Sequence, residues 1–191
     1  NALIATEDIR YLSHSGIDFK RTFTIFAYAI MGKKQGGSTI TQQLARGLYL
    51  SNEKTFKRKI IEIFTAIRLE RSMSKDEILE LYLNKIFLGQ RAYGVAAAAE
   101  VYYGKTLEQL NISECAMLAA LPKAPSDLNP IHNPKAAIER RNYVLQRMFE
   151  ERYLSAEQLK SALAEPDLAI LHSPPVELEA PYVAEMARLE V

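Results

Sequence analysis

Apolar side chains recur at three- and four-residue spacing along most of the chain, a pattern that predicts amphipathic helices. The clearest case is a long helix that Ser51 or Asn52 can begin. Its apolar residues predict a stripe facing the core, with charged residues on the opposite face. The stripe consists of Phe56, Ile60, Ile63, Phe64 and Ile67.

Capping signals divide much of the remaining chain into helices. Ser74 and Ser155 are each followed three residues later by Glu or Gln, which is the capping-box pattern of a helix N-terminus. Asn133 and Pro134 likewise predict a helix start, because proline suits the first helical position. Further helices are predicted over residues 1–13, over 94–103 before Gly104, and from Ser113 to Pro122.

Residues 19–31 form an unusually apolar segment between Asp18, a candidate N-cap, and Gly32. The second half is apolar around most of the helix circumference. The segment is shorter than the roughly 20 residues that a helix needs to span a bilayer. It therefore predicts either a buried core helix or a helix that lies in a membrane interface.

The sequence contains no convincing alternation of apolar and polar residues typical of strands, and no internal repeat. We therefore predict an all-α domain of about eight to ten helices over residues 1–165. Residues 166–191 begin with closely spaced prolines and predict an extended linker toward a following domain. A last helix is possible over residues 183–189.

The composition excludes some classes of binding partner but does not identify the partner. About half of the 191 residues are apolar and the formal net charge is +1, which argues against general nucleic-acid binding. The single cysteine, Cys115, lies among apolar residues and predicts a buried small side chain without a disulfide. The sequence contains no run of about 18 apolar residues, which is the pattern that predicts a membrane-spanning helix.

Residues 36–44 read GGSTITQQL and combine two glycines with a dense set of uncharged hydrogen-bonding groups. Glycine permits close approach of a ligand to the backbone, and Ser, Thr and Gln both donate and accept hydrogen bonds. The segment suits a polar substrate rich in hydroxyls and amides. A turn followed by a helix that Ser38 or Thr39 caps is an equally good interpretation of this stretch alone.

Two carboxylates flank that loop in different surroundings. Glu7 follows an apolar run, whereas Glu62 shares one helix face with Arg58 and Lys59. Such a difference lets one carboxylate act in proton transfer while the other stays ionised, as in glycoside chemistry. Taken alone, Glu62 would fit a solvent-exposed ion pair worth about 0.3–0.5 kcal/mol. The bunched cations near the loop favour an anionic leaving group such as a phosphate; they are Arg46, Lys54, Lys57, Arg58 and Lys59.

Other chemistries find little support. The three histidines are scattered, and no cluster has the ligand spacing of a metal site. Ser38 follows glycines but lacks the context of a nucleophile elbow, and no phosphate-binding loop is present.

The order of the polar motifs resembles that of the family 51 peptidoglycan glycosyltransferases. The matching segments are EDIRYLSHSG at 7–16, GGSTITQQL at 36–44, RKIIE at 58–62, EILELYLN at 77–84 with Gly89 and residues 93–95, and LAALPKAP at 118–125. The similarity extends to about residue 165, and residues 180–186 resemble the exit toward the remainder of a class A penicillin-binding protein of the 1A type.

The resemblance implies a lysozyme-like helical fold with a small membrane-associated jaw, and an enzyme that polymerises lipid II into glycan strands. By motif, Glu7 would be the general base for the acceptor's 4-hydroxyl, with inversion at the donor anomeric carbon. Glu62 would orient the site or assist departure of the pyrophosphate, whose charge Arg46, Arg58 and Lys59 would stabilise. Other expected substrate-binding residues are Asp8, His14, Ser38, Thr39, Gln42, Gln43 and Lys54.

The resemblance further implies that residues 19–31 contact the lipid membrane and that the domain faces the periplasm from the bacterial inner membrane. A transpeptidase domain would follow the linker. No cofactor is required by this interpretation, although a divalent cation, Mg²⁺ or Mn²⁺, can bridge the pyrophosphate in relatives. No dedicated ligand cage for it is visible in the sequence.

Two positions depart from the usual family pattern. Arg46 stands where many relatives have Lys, and Tyr11 where many have Phe. The first keeps the charge but replaces a point charge by a planar fork. A lysozyme-like hydrolase and a non-catalytic helical module that binds a membrane or a protein partner are the alternatives. The basic cluster argues against a hydrolase, which has no pyrophosphate to hold.

Overall fold

The structure is a computed structural model that describes residues 1–21, 23, 37–49 and 55–172. These ranges contain helices joined by short turns and no strand, which confirms the predicted all-α class. We number the α-helices in chain order. They are α1 (Ala2–Glu7), α2 (Ile40–Tyr49), α3 (Phe56–Ser72), α4 (Lys75–Lys85), α5 (Val95–Tyr103), α6 (Ile112–Ala120), α7 (Pro134–Glu150) and α8 (Ala156–Ala164).

Helix α6 lies at the centre of the described fold. Seven of its nine residues are buried, including Ala116, Met117 and Ala120. Helices α1, α5, α7 and α8 all pack against it. Small side chains at Ala116, Ala119 and Ala120 let these helices approach closely. The packing of α1 against both α6 and α7 fixes the position of Glu7, the last residue of α1.

Helix α2 lies between α3 and α4 and carries the polar loop's C-terminal half into the core. Its apolar residues Ile40, Leu44 and Ala45 are buried at 0–2% exposure. Ala66 of α3 and Ile78 of α4 belong to the same apolar cluster. Gln43, on another side of α2, is half-buried and lines a cavity.

The two predicted capping boxes are confirmed, whereas the predicted start at Ser113 was wrong because Asn111 caps α6 by accepting from Glu114 N–H. Ser74 and Glu77 exchange side chain to backbone hydrogen bonds at the start of α4, and Ser155 and Gln158 do so at the start of α8. Gly104 ends α5 in the left-handed conformation, with φ +62°. Helix α7 begins at Pro134 as predicted, although the Asn133 side chain makes no capping bond.

The first helix is shorter than the sequence predicts. It ends at Glu7, and only a single 3₁₀ turn follows at Tyr11–Ser13, instead of one helix through residue 13. Asp8 has φ −156°, outside the helical region. Its carboxylate accepts hydrogen bonds from the backbone of Ile40 and from His14, and these tertiary contacts replace continuation of the helix.

In helix α3 the face predicted to be exposed is buried, and part of the face predicted to be buried is exposed. It begins at Phe56 after an N-cap at Thr55, later than predicted, and its buried residues are Glu62, Ala66 and Leu69. Phe56 and Phe64 of the predicted core stripe are 83% and 68% exposed. Helical spacing was correct, but the assignment of the apolar stripe to the core was wrong because α3 packs on α2 through its Glu62 side.

Residues 166–172, at the end of the described chain, form no helix or strand, and the linker beginning at residue 166 stays a prediction. Residue 170 donates a backbone hydrogen bond to Tyr102, and residue 172 donates one to Val101, so this segment runs beside α5. The possible helix at 183–189 and most of the apolar segment 19–31 lie outside the described residues. Within the described ranges, no helix has the length and apolar character needed to cross a bilayer.

Candidate active site

Glu7 stands at the wall of a polar cavity with its carboxylate held on both sides. Gln43 donates a hydrogen bond from Nε2 to Glu7 Oε2 at 3.0 Å. Arg140 of α7 brings Nη2 to 3.8 Å from Glu7 Oε1. The Glu7 side chain is 15% exposed, so it is largely shielded yet reachable from the cavity. A carboxylate held in this way suits proton transfer to or from a bound ligand.

The cavity has a volume of about 610 Å³, enough for a ligand of several rings. Its wall carries more cationic than anionic groups. It is lined by Thr6, Glu7, Arg21, Ser38, Gln43, Lys123, Leu128, Ala136, Glu139, Arg140 and Tyr143. The guanidinium of Arg140 also lies 4.5 Å from the centre of the Tyr143 ring, a cation–π contact that holds it at the wall.

The polar loop divides its side chains between structure and cavity. Thr39 and Gln42 are buried and cap α2 reciprocally: Thr39 N–H donates to Gln42 Oε1 at 3.0 Å, and Gln42 N–H to Thr39 Oγ1 at 3.1 Å. The Thr39 hydroxyl donates to the carbonyl of Gly16 at 2.6 Å. Ser38 and Gln43 line the cavity instead. The helix-cap interpretation is therefore confirmed for Thr39, and binding of a polar substrate by Ser38 and Gln43 stays a prediction.

Asp8 and His14 lie together beneath the loop. Asp8 is fully buried, and its carboxylate accepts from Ile40 N–H and from His14 Nε2, each at 3.0 Å. The His14 side chain is 8% exposed. These contacts join the turn after α1 to the N-terminus of α2. Neither residue lines the cavity, so their position suits support of the Glu7 and loop segments.

Glu62 is buried, with only 1% of its side chain exposed, rather than a solvated ion pair. Lys59 donates to Glu62 Oε1, and Arg58 Nη1 lies 3.6 Å from Oε2. Lys59 also donates to the Ser38 hydroxyl at 3.0 Å, which links α3 to the cavity wall. The spacing predicted one shared helix face for these three residues, and the structure brings them together.

Comparison with protein families matches the part of the chain that contains the candidate site. Residues 1–149 match the family model described as Transglycosylase. The chain belongs to this transglycosylase family. The match covers α1 to α7 almost completely, and it includes Glu7, the polar loop, Glu62 and Arg140. It confirms the resemblance inferred from the order of the motifs.

Individual relatives agree with the family assignment. The chain is 54% identical to penicillin-binding protein 1A of Vibrio cholerae serotype O1 over 98% of its length, and 51% identical to penicillin-binding protein 1A of Escherichia coli K12 over 100%. It spans only 23% of each of these proteins. A putative transglycosylase of Cupriavidus necator is 50% identical over 86% of the chain, which covers 72% of that protein.

A solved structure shows the same fold. The crystal structure of penicillin-binding protein 1A from Haemophilus influenzae aligns with a TM-score of 0.53 at 46% identity, over 79% of this chain and 19% of that one. The helical architecture of this transglycosylase family member therefore agrees with that of an experimentally determined relative.

Arg46 faces a second cavity, of about 660 Å³, on the other side of Gln43. It is exposed and shares this cavity with Lys85, Phe87 and Tyr93. The structure therefore separates Arg46 from the Lys59 and Ser38 group, with Gln43 lining both cavities. Lys54, the other predicted phosphate contact, lies outside the described residues.

Several residues of this candidate site were missed in the sequence. Lys123, Arg140 and Tyr143 line the first cavity, and Tyr82 donates a hydrogen bond to Gln43 Oε1 at 3.1 Å. Arg140 and Tyr143 are three residues apart on α7, so helical spacing indicates a shared face. Nothing in their local sequence indicates that this face meets Glu7, because the contact is tertiary.

The carboxylates of the site do not form a metal cage. Across the described ranges, no group of three or more His, Cys, Asp or Glu side chains could hold a metal ion. Glu7 and Glu62 are each held by cationic side chains instead. These residues do not fit a dedicated divalent site, and the Mg²⁺ or Mn²⁺ ion implied by the resemblance stays a prediction.

Proposed function

We propose that the cavity around Glu7 polymerises lipid II into peptidoglycan glycan strands, with inversion at the donor anomeric carbon. The observation that carries this proposal is the Glu7 carboxylate at a cationic cavity wall, oriented by Gln43 and faced by Arg140. Family membership supports the glycosyltransferase class. The substrate and the direction of transfer belong to the proposal.

In the proposed reaction, Glu7 takes the proton from the 4-hydroxyl of the acceptor's N-acetylglucosamine. That oxygen attacks the anomeric carbon of the donor strand and forms the new glycosidic bond. The bond from that carbon to the phosphate oxygen breaks, and its electron pair leaves with the polyprenyl pyrophosphate. A positioned general base typically contributes about 10²- to 10⁴-fold to the rate.

The cations around the cavity suit the anionic leaving group. Lys123 and Arg140 line the cavity, and Lys59 reaches its wall through Ser38. Fixed positive groups stabilise charge that develops on a leaving group without reorganisation during the reaction. The buried Glu62 carboxylate fixes Arg58 and Lys59 in place, which gives it an orienting role.

The alternatives are not favoured by this geometry. An inverting hydrolase needs a second carboxylate that activates water across the scissile bond. Glu62 is buried and paired with two cations, so it is poorly suited to that role. Glu139 is a second carboxylate that lines the cavity, but the cations Lys123 and Arg140 at the same wall favour an anionic leaving group, which a hydrolase does not release. A module that only binds a membrane or a protein has no use for a carboxylate oriented inside a polar cavity.

Membrane association and the wider protein also belong to the proposal. Phe19 and Phe23, at the start of the segment predicted to contact lipid, are 75% and 74% exposed. Exposed apolar side chains of this kind suit a membrane surface. We place the domain on the periplasmic face of the bacterial inner membrane, followed by a transpeptidase domain. Its partners are lipid II and the growing strand, not nucleic acid.

The test is polymerisation of labelled lipid II by the purified protein in detergent, with products separated by size. Glu7→Gln and Glu62→Gln are compared with Glu150→Gln, an exposed carboxylate on α7. Long glycan from the parent and from Glu150→Gln, with none from Glu7→Gln, supports the proposal. Shortening of added glycan would instead indicate a hydrolase, and absence of polymer from a folded, lipid-bound parent would indicate a binding module.

A further inference from the structure

Gln43 connects Glu7 to a buried tyrosine through a chain of two hydrogen bonds. The Tyr82 hydroxyl donates to Gln43 Oε1 at 3.1 Å, and Gln43 Nε2 donates to Glu7 Oε2 at 3.0 Å. The three residues come from α4, α2 and the end of α1, respectively. Their contacts therefore depend on how these three helices pack.

The Tyr82 side chain borders the second cavity, but its hydroxyl donates to Gln43 Oε1 and is not left free for a ligand. The relative exposure of Tyr82 is 2%, and its ring belongs to the apolar cluster beneath α2. Burial raises the pKa of the Tyr82 hydroxyl, and the negative charge of Glu7 raises it further. The hydroxyl therefore stays protonated at any working pH and remains able to donate to the Gln43 carbonyl oxygen.

A glutamine side chain needs such an anchor to present one defined face. Its amide has a donor end and an acceptor end of nearly the same shape, and the side chain has several rotatable bonds. Unanchored, it samples rotamers and orientations in which the donor end no longer meets Glu7. A donor on the Oε1 side fixes the amide, and linked hydrogen bonds also polarise one another.

We propose that Tyr82 is a positioning residue for the transfer reaction: its hydroxyl holds the Gln43 amide so that Nε2 stays directed at the Glu7 carboxylate. This inference rests on the proposed role of Glu7 as the base. It assigns Tyr82 no contact with substrate. Loss of the hydroxyl should therefore slow the chemical step while substrate binding is retained.

The test compares steady-state polymerisation by the purified protein carrying Tyr82→Phe, Gln43→Met or both changes. Tyr82→Phe removes only the hydroxyl and is expected to lower kcat about tenfold, with KM changed less than about twofold. Since both changes break the same chain, the double variant should be no slower than Gln43→Met alone. Incorporation of 3-fluorotyrosine at position 82 keeps the ring and hydroxyl and should restore kcat.

Tyr102→Phe is the matched control, because this buried tyrosine donates to the Leu88 carbonyl, outside both cavities. It should leave kcat within about twofold of the parent. Additive losses from Tyr82→Phe and Gln43→Met, or a parental kcat in Tyr82→Phe, would overturn the positioning role. An inactive parent would overturn the proposed function itself, so the two failures are distinguishable.

Discussion

Arg140 of α7 lies with its guanidinium 3.8 Å from the Glu7 carboxylate, although the two residues are separated by most of the described chain. Both side chains are 15% exposed. The pair joins the end of α1 to α7 at the wall of the first cavity, and Tyr143 supports the guanidinium from one face. Arg140 therefore both balances the charge of Glu7 and limits its orientations.

Replacement of Arg140 should impair transfer without unfolding the domain. The 3.8 Å contact is an ion pair, and two unit charges about 4 Å apart interact by at most about 4 kcal/mol near a protein surface, so Arg140→Ala is expected to lower kcat/KM about 10- to 100-fold. Arg140→Lys should recover only part of the loss, because a point charge replaces the planar fork. Polymerisation kinetics with labelled lipid II measure both effects.

Arg147→Ala on the same helix is the control for Arg140, since its partners Glu150 and Glu151 lie at the surface. Surface ion pairs contribute about 0–1 kcal/mol, and none of these residues lines either cavity. Equal activity losses in Arg140→Ala and Arg147→Ala would contradict a specific role for the Glu7 contact.

The Lys59 and Glu62 pair should stabilise the fold as a unit. Removal of Lys59 leaves the buried Glu62 carboxylate with Arg58 as its only cation in the described structure. Lys59→Ala is therefore expected to lower the free energy of unfolding by about 1–3 kcal/mol. The double variant Lys59→Ala with Glu62→Gln should lose less than the sum of the single changes. Urea denaturation measures these differences, and strict additivity would speak against a coupled pair.

Asp8→Asn should lower the stability of the fold. Asp8 Oδ2 accepts from both Ile40 N–H and His14 Nε2, and an asparagine keeps one oxygen but loses the negative charge that strengthens both hydrogen bonds. We expect a loss of about 1–3 kcal/mol in the free energy of unfolding. Asp76→Asn, an exposed position in the first turn of α4, should cost at most about 1 kcal/mol. Equal stability of Asp8→Asn and the parent would contradict the proposed support role.

Local signals in the sequence predicted where helices form better than they predicted how those helices pack. The capping boxes at Ser74 and Ser155 were correct because both partners lie within one helical turn. The stripe of α3 was wrong because periodicity identifies an apolar face without showing what covers it. That face is partly exposed at Phe56 and Phe64, whereas the charged Glu62 is buried.

The site was predictable to the extent that its residues occur in motifs. Glu7, Gln43 and the Glu62 group were found in this way. Tyr82 lies within a motif, but its hydrogen bond to Gln43 spans 39 residues, and the bond from Gln43 to Glu7 spans 36. Such contacts arise only when separate helices pack, so neither the role of Tyr82 nor that of Arg140 could be read from local spacing.

The pH dependence of stability should include a contribution from Asp18. Burial alone would raise its pKa, but hydrogen bonds from the Arg21 backbone and the Arg10 guanidinium outweigh this effect and lower the pKa below the usual value. A lowered pKa in the folded state stabilises the fold above the unfolded-state pKa of about 3.9, and this contribution is lost as the pH falls below it. Asp18→Asn should therefore flatten the fall in melting temperature between about pH 5 and 2. An unchanged acid-side slope would contradict the assignment.

The exposed apolar face of α3 predicts lipid contact beyond residues 19–31. Phe56 and Phe64 lie on this face, and full burial of one such side chain contributes about 1.5–3 kcal/mol. If both insert into the interface, Phe56→Ser and Phe64→Ser should each weaken binding of the chain to phosphatidylcholine vesicles at least about tenfold. Leu163→Ser on α8, 39% exposed, is the control and should bind as the parent does. Vesicle co-sedimentation measures the partition. Parental binding by both phenylalanine variants would show that α3 stays clear of the bilayer, and would confine the proposed membrane contact to the segment before the polar loop.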